Sequence, residues 1–277
     1  WVLRRILGSN LDELLSWADD DEYLTGAQRS SRRLPGLSEA LSALHRPASL
    51  SDAEVGRRRL AYDELFFLQL VQAQTRRCAT EVEEGITHER SNELIRPLHE
   101  SLPFALTTAQ AAVLRDIYQD MKSKRRMSRL LQGDVGSGKT VVAVSALLAA
   151  VQGGHQGAFM APTGVLAEQH HIGVAGLLAG LTVADPSTLL GSRPLRVDLL
   201  TGRTPAAERR RIAADLVAGG VDILIGTHAL IQEGVEFGSL GVVVIDEQHK
   251  FGVEQRAALR AENSDGTVPD VLVMTAT

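Results

Sequence analysis

The sequence predicts an α/β fold, in which helices cover both faces of a parallel sheet and a mostly helical segment comes first. From Leu106 onward, short β-branched runs alternate with longer helical stretches, and repeated β-α-β units of this kind form parallel sheets. The run at residues 242–245 is apolar at every position, which indicates a strand buried on both faces. We therefore expect residues 101–277 to form the sheet-containing domain and residues 1–100 to form a mostly helical segment before it, here called the connector.

The clearest helix signal in the connector begins at Ser51. Ser51 and Glu54 have the spacing of a capping box, in which the two side chains satisfy amide donors at a helix start. Apolar residues then recur at near-helical spacing as far as about residue 84, so we expect a long helix that packs on a neighbour through this stripe. The stripe comprises Leu60, Leu65, Phe67, Leu68, Val71 and Cys78.

The sheet-containing domain should carry its ligand site at one edge. Ligands of parallel sheets bind outside the carboxyl ends of the strands, so the residues that follow each strand are the candidates. Strands are predicted at residues 129–132, 158–161, 197–200, 222–226, 242–246 and 271–276. Helices are predicted at residues 107–121, 138–152, 165–171, 205–218 and 253–262.

Composition and charge limit the classes of function. With a net charge of −5 and a pI near 5.9, the chain has no overall basic field, so nucleic acid would have to bind a local patch or the backbone. The longest apolar run, at residues 141–151, is too short to span a bilayer. The single cysteine, Cys78, excludes an internal disulfide framework and is typical of a reducing compartment. We expect a cytoplasmic protein without a membrane partner.

A phosphate-binding loop lies between the first predicted strand and the following helix. Residues 133–140 match G-x-x-x-x-G-K-[ST] in full, a pattern whose backbone amides and helix N-terminus bind phosphate oxygens. Lys139 can reach the β- and γ-phosphates, and the Thr140 hydroxyl can bind Mg²⁺. The alternative is a chance glycine-rich turn before a buried helix. The residues predicted to bind ATP here are Gly133, Asp134, Val135, Gly136, Ser137, Gly138, Lys139 and Thr140.

Two adjacent carboxylates, Asp246 and Glu247, end the apolar strand at residues 242–246. Two negative charges at the tip of a buried strand need a partner, unless they are simply hydrated where the sheet meets solvent. Beside a phosphate loop, the first can hold Mg²⁺ and the second can orient or deprotonate the water that attacks the γ-phosphate. We predict that Lys139, Asp246 and Glu247 are catalytic, with Thr140 and Asp246 at the metal.

The order of the motifs resembles that of superfamily 2 helicases, and their residues are similar to those of the RecG family of bacterial DNA helicases. The motifs are GDVGSGKT, APTGVLAEQH (161–170), LLTGRT (199–204), IGTHALIQE (225–233), VIDEQHKFGVEQR (244–256) and VMTAT (273–277). The resemblance covers roughly residues 50–277. The related transcription-repair coupling translocases usually carry a different sequence after the Asp-Glu pair, and they rank second.

The resemblance implies a RecA-like P-loop NTPase lobe and assigns further roles by position. Residues that touch a DNA strand would be Thr163, Thr201, Gly202, Thr227 and His228. Loops and helix starts there can grip phosphates without reading sequence, although a threonine such as Thr163 or Thr227 is equally natural as a helix N-cap. Residues that couple hydrolysis to strand movement would be Gln248, His249, Thr275, Ala276 and Thr277.

The segment LPFALTTAQ (102–110) resembles the adenine-reading segment of such helicases. Phe104 could stack on the base, and Gln110 could make two hydrogen bonds to the adenine edge. Thr107 and Gln110 also have capping-box spacing, so the two interpretations compete for one amide.

One residue departs from the family's motifs. Gly164 stands where the family usually has an acidic residue.

The resemblance implies further domains and an activity. These are a second RecA-like lobe after Thr277, an OB-fold wedge domain before Trp1, and remodelling of branched double-stranded DNA such as stalled forks and Holliday junctions. Alternatively, the chain alone is a nucleotide-binding module without motor activity. The basic stretches 122–129 and 203–211 are interpreted as solvated helix ends.

Overall fold

The computed structural model describes residues 2–82, 85–88, 93–185, 188–189, 191–232, 234–247 and 267–276. The chain divides into two compact units, Trp1–Cys78 and Ala79–Thr277. The functional division into a connector of residues 1–100 and a motor lobe of residues 101–277 stays a prediction.

The first unit is helical, as the sequence predicts. Its long helix begins at Leu50, and the hydroxyl of Ser49 accepts a hydrogen bond from the amide of Asp52 at 3.2 Å. The predicted capping box at Ser51 is therefore wrong, because Ser51 already lies inside the first helical turn. The helices are α1 (Val2–Asp20), α2 (Gly26–Arg32), α3 (Leu37–His45) and α4 (Leu50–Val82).

A buried arginine connects α4 to the segments before α2 and α3. Arg59 is fully buried, and its guanidinium donates to both carboxylate oxygens of Glu22 at 2.8 and 2.9 Å. It also donates to Asp63 at 2.9 Å and to the carbonyl of Pro35 at 2.9 Å. Because a buried charge needs both a counter-charge and hydrogen bonds, this network fixes how the unit folds around α4.

The apolar stripe predicted along α4 is not packed within the described residues. Leu65 and Leu68 are 63% and 62% exposed, and Phe67 and Val71 are exposed as well. Aromatic contacts lie nearby, since the ring of Tyr23 lies 5.0 Å from that of Phe67. The expected packing is therefore not seen at these four positions, whereas Arg59 and Asp63 of the same helix are buried.

The second unit confirms the predicted class, since its main sheet has six parallel strands. A two-stranded antiparallel pair, β3 with β4, was not predicted because each strand has only 3 residues. The predicted helix at 253–262 lies outside the described residues. The strands are β1 (Ser128–Gln132), β2 (Gln156–Met160), β3 (Thr182–Ala184), β4 (Ser192–Pro194), β5 (Val197–Leu200), β6 (Ile223–Gly226), β7 (Leu240–Asp246) and β8 (Asp270–Thr275). The helices are α5 (Ile95–Ser101), α6 (Thr108–Met121), α7 (Lys139–Gln152), α8 (Gly164–Leu177) and α9 (Ala206–Val217), with a 3₁₀ turn at His228–Ile231.

The main sheet, in the order β1-β8-β7-β2-β6-β5, has a core on each face. Successive side chains of a strand point to opposite faces, and in β7 Val242 and Val244 join one core while Val243 and Ile245 join the other. The first core contains residues of α5, α6, α7 and α8, and the second contains residues of α9 and the 3₁₀ turn. This explains why β7 is apolar at consecutive positions.

The most apolar helix, α7, lies in the first core. Every residue from Val141 to Val151 is buried, which accounts for the long apolar run in the sequence. In the described part of the chain, no helix has the length and apolarity needed to cross a membrane.

Candidate functional site

The carboxyl ends of three neighbouring strands bring the predicted catalytic motifs together. β8 lies between β1 and β7. Where β1 ends, the amide of Gly133 donates to the carbonyl of Thr275 at 3.4 Å, and where β7 ends, the amide of Glu247 donates to the carbonyl of Met274 at 2.9 Å. Two strand spacings separate the phosphate loop from the acids by about 10 Å, which leaves room for a polyphosphate between them.

The phosphate loop has the backbone conformation that its glycines permit. Gly136 and Gly138 adopt positive φ angles of 81° and 79°, a region that favours glycine. A Cβ atom on Gly138 would lie 2.4 Å from Nε2 of Gln110, so a larger residue would also push that amide away. The loop residues 134–137 are exposed, and the loop leads directly into the N-terminus of α7, where the helix dipole favours an anion.

The ammonium group of Lys139 lies over this loop. Its Nζ donates to the carbonyls of Gly133 at 2.6 Å and Asp134 at 2.8 Å. The side chain of the first residue of α7 therefore turns back across the loop, towards the place where phosphate oxygens would contact the backbone amides. This position suits the predicted phosphate-binding role of Lys139.

Gln110 forms the predicted capping box and also contacts the phosphate loop. Its Oε1 accepts from the amide of Thr107 at 2.9 Å, and the Thr107 hydroxyl accepts from the Gln110 amide, so the capping box of α6 is confirmed. Its Nε2 donates to the carbonyl of Ser137 in the phosphate loop at 2.9 Å. One amide proton and one lone pair remain available. The adenine-reading roles of Gln110 and of Phe104, which is 50% exposed, stay predictions.

The first carboxylate, Asp246, is paired with a histidine that the sequence analysis did not single out. Nε2 of His170 lies 2.9 Å from Oδ2 of Asp246, and their side chains are only 17% and 14% exposed. His170 is on α8, within the motif APTGVLAEQH. No pattern in that motif indicates the contact, because it joins positions on α8 and β7 that are distant in sequence.

The second carboxylate, Glu247, has an uncommon backbone conformation. Its φ of 52° is in the left-handed region, where non-glycine residues are rare. Its Oε1 accepts a hydrogen bond from the amide of Ala276 at 3.3 Å. Because such conformations persist only when the surroundings impose them, and cluster at functional sites, this observation supports a functional role for Glu247.

The donor set at this edge fits Mg²⁺ bound together with a nucleotide. Among the described residues, no group of three or more His, Cys, Asp or Glu side chains could hold a metal by itself. Mg²⁺ does not need such a group, because it usually binds one or two protein oxygens and completes its octahedron with waters and substrate phosphates. The Thr140 hydroxyl at the start of α7 and the Asp246 carboxylate at the end of β7 are oxygen ligands of this kind.

The residues predicted to touch DNA follow three other strands at the same carboxyl edge. Thr163 and Thr227 are N-caps, since their hydroxyls accept from the amides of Leu166 at 3.3 Å and Ala229 at 3.5 Å. This is the alternative that the sequence left open for both. Thr201 and Thr227 are buried, whereas Thr163, Gly202 and His228 are exposed.

Arg209, on α9, is hydrogen-bonded to two of these loops. The sequence patterns did not indicate this role. Its guanidinium donates to the carbonyl of Thr201 at 3.2 Å and to Oε1 of Gln232 at 3.2 Å. The sequence showed only a basic stretch around it. Most of the described cations in that stretch and in 122–129 are engaged within the protein, as in Arg211 with Asp215 and Arg129 with Asp120.

The predicted coupling residues are only partly described. Thr275 and Ala276 lie at the end of β8, between the phosphate loop and Glu247, and the Thr275 hydroxyl donates to the Ala276 carbonyl at 3.1 Å. Gln248, His249 and Thr277 lie outside the described residues.

Comparisons with known proteins show which proteins this chain is similar to. A model of the DEAD/DEAH box helicase family matches residues 107–277. The ATP-dependent DNA helicase RecG of Bacillus subtilis is 47% identical over 249 residues, which are 90% of this chain and 34% of that protein. The RecG of Thermotoga maritima is 41% identical over 275 residues, 99% of this chain and 33% of that protein.

A solved structure is similar over almost the whole chain. The structure of RecG bound to a three-way DNA junction matches with a TM-score of 0.77 and 39% sequence identity, and covers 98% of this chain and 34% of that chain. The fold of the second unit is thus that of a RecA-like helicase lobe. This chain spans about a third of the length of the relatives it matches.

Proposed function

Because the chain belongs to the DEAD/DEAH box helicase family, we propose that it supplies the first motor lobe of an ATP-dependent helicase that remodels branched DNA. Members of this family use ATP, and the similarity to RecG supports a branched substrate such as a stalled fork or a Holliday junction. The connector role of residues 1–100, the cytoplasmic location, and partnership with a second RecA-like lobe and a wedge domain belong to this proposal.

One observation carries the proposal, namely the position of the phosphate loop and the Asp246–Glu247 pair on either side of β8. The amides of Gly133 and Glu247 both bond to consecutive carbonyls of β8, those of Thr275 and Met274. The end of β8 is therefore in contact with both halves of the nucleotide site.

The residues of the site divide the chemistry among them. The loop amides and Lys139 bind and orient the β- and γ-phosphates, while Phe104 and Gln110 hold the adenine. Thr140 and Asp246 would hold Mg²⁺, which when bound neutralises charge on the phosphate oxygens. Glu247 orients the attacking water and takes its proton, and its contact with Ala276 connects this step to the coupling motif.

DNA would lie along the loops that follow β2, β5 and β6. In this proposal the exposed Thr163, Gly202 and His228 contact the phosphate backbone, and the buried Thr201 and Thr227 hold those loops in place. Backbone contacts of this type give grip without sequence preference, as a motor that moves along DNA requires.

The rival function is a nucleotide-binding module without motor activity. It would describe this chain when tested alone, because residues supplied by a partner lobe can contribute about 10³-fold or more to phosphoryl transfer. We expect the chain alone to bind ATP and turn it over very slowly.

Hydrolysis and unwinding should be measured in a protein that carries this chain together with the second lobe and the wedge domain. We expect ATP-dependent unwinding of a three-way junction, stimulation of hydrolysis by that junction above linear duplex, and loss of both in Lys139→Ala. Stimulation by linear duplex alone, without junction unwinding, would favour a translocase of the transcription-repair type. Nucleotide binding without stimulated hydrolysis would favour the module.

A further inference from the structure

We propose that His170 is a positioning residue, which holds the carboxylate of Asp246 in the orientation that binds Mg²⁺. This inference rests on the proposed function, since it gives the metal ligand a partner. Nε2 of His170 and Oδ2 of Asp246 are 2.9 Å apart. An ionised carboxylate can only accept hydrogen bonds, so the imidazole Nε2–H must be the donor.

The imidazole ring is held by packing as well as by this bond. It lies against the ring of Phe159 in β2, with centroids 4.5 Å apart and the planes at 42°. Phe159 is fully buried, and β2 pairs with β7, so the surface that supports His170 belongs to the same rigid sheet as Asp246. The donor therefore has a fixed position relative to the carboxylate.

The Asp246 carboxylate needs such a partner because no other described residue is bonded to it in a way that fixes its rotation. The backbone of Asp246 is set by its register with Met274 in β8, but the terminal torsion of an aspartate side chain has a broad, two-fold energy profile. With Oδ2 held by His170, the second oxygen Oδ1 has no hydrogen-bond partner among the described residues. It is the atom left for a cation at the carboxyl edge of the sheet.

Outer partners of metal-binding carboxylates commonly matter almost as much as the ligands. Replacing such a partner typically lowers metal affinity or activity by about 10- to 100-fold. The pair is mostly shielded from water, with side chains 17% and 14% exposed, so water substitutes poorly for a lost imidazole donor.

The next residue supplies a matched control. His171 is on the same helix, but its Nε2 lies 3.2 Å from the carbonyl of Val197 and bonds to no carboxylate among the described residues. A variant of His171 alters the packing of α8 on β5 without reaching Asp246, so it separates a loss of positioning from a general disturbance of the helix.

The test measures how Mg²⁺ strengthens the binding of a fluorescent ATP analogue to the 277-residue chain. His170→Leu keeps an apolar side chain against Phe159 and removes the donor, whereas His170→Gln places an amide donor near the position of Nε2. We expect His170→Leu to raise the Mg²⁺ concentration for half-maximal effect by about 10- to 100-fold. His170→Gln should restore most of this, and His171→Leu should match the wild type.

An unchanged Mg²⁺ requirement in His170→Leu would overturn the inference, and so would equal losses in His170→Leu, His170→Gln and His171→Leu. Asp246→Asn distinguishes this failure from failure of the proposed function. If Asp246→Asn weakens the Mg²⁺ effect and His170→Leu does not, only the positioning role is wrong. If Asp246→Asn has no effect either, the metal-binding role of Asp246 is wrong as well.

Discussion

Oε1 of Glu247 accepts a hydrogen bond from the amide of Ala276, at 3.3 Å. Glu247 directly follows β7 and has a left-handed backbone conformation, and Ala276 directly follows β8. The carboxylate proposed to orient the attacking water is thus hydrogen-bonded to the segment proposed to couple hydrolysis to DNA movement.

Replacement of Lys139 should weaken nucleotide binding while leaving the fold intact. Lys139→Met removes the ammonium and keeps much of the side-chain length. Because a hydrogen bond to a charged group contributes about 1.5–3 kcal/mol, affinity for a fluorescent ATP analogue should fall by about 10- to 100-fold. Lys122→Met, at the C-cap of α6, is the control and should bind normally. Equal affinity in both variants would contradict the phosphate-binding role.

The two interpretations of Gln110 make different predictions for base selectivity. If Gln110 reads adenine, Gln110→Ala should lower the affinity for ATP by up to about tenfold more than that for GTP, the worth of a lost hydrogen bond. Thr107→Ala breaks the same capping box and should lower the affinities for ATP and GTP equally, because a helix cap does not contact the base. An unchanged ratio of ATP to GTP affinity in Gln110→Ala would contradict adenine reading. Gln110 would then only cap α6 and bond to the phosphate loop.

Arg59 should dominate the stability of the helical unit. Arg59→Leu leaves Glu22 and Asp63 without their buried counter-charge, and breaking a buried pair costs roughly 3–5 kcal/mol. Both tryptophans, Trp1 and Trp17, belong to the first unit, so urea unfolding followed by tryptophan fluorescence reports on it.

The matched control for Arg59 is an exposed ion pair of the same unit. Arg46 and Asp12 have side chains 47% and 82% exposed, so Arg46→Ala should cost less than about 1 kcal/mol. Similar free energies of unfolding for Arg59→Leu and Arg46→Ala would contradict the importance of the buried network.

The same network should make the stability of this unit depend on pH. Hydrogen bonds from Arg59 lower the pKa of Glu22 from 4.5 to about 2. A carboxyl group whose folded pKa is below its unfolded pKa stabilises the protein above the unfolded value, and loses that contribution as the pH falls towards the folded value. The stability difference between wild type and Glu22→Gln should therefore be largest near pH 7 and shrink between about pH 5 and pH 2. A difference independent of pH over this range would contradict the shift in the pKa of Glu22.

Local sequence patterns predicted the features that depend on neighbours along the chain. The parallel class followed from apolar runs such as β7, and the phosphate loop followed from its glycine spacing. The capping box at Thr107 was predicted correctly, whereas the one at Ser51 was misplaced because Ser49, two residues earlier, is as good a cap. Short strands such as β3 lack enough residues to show a period.

Contacts between distant segments could not be predicted from these patterns. His170 on α8 meets Asp246 only because β2 and β7 pair, and Arg209 meets Thr201 only because α9 packs beside β5. The exposure of Leu65 and Leu68 was likewise hidden, since helical spacing shows which residues share a face and not what covers it.

Replacement of Glu247 tests the proposed ATP-hydrolysis site most directly. Glu247→Gln keeps the Oε1 acceptor for Ala276 and removes the basic oxygen. In a protein with both motor lobes, single-turnover hydrolysis in the presence of a DNA fork should fall by about 10²- to 10⁴-fold, the usual contribution of a general base. Binding of the ATP analogue should remain as in the wild type. Hydrolysis at the wild-type rate in Glu247→Gln would contradict the catalytic role of this carboxylate and the site built around it.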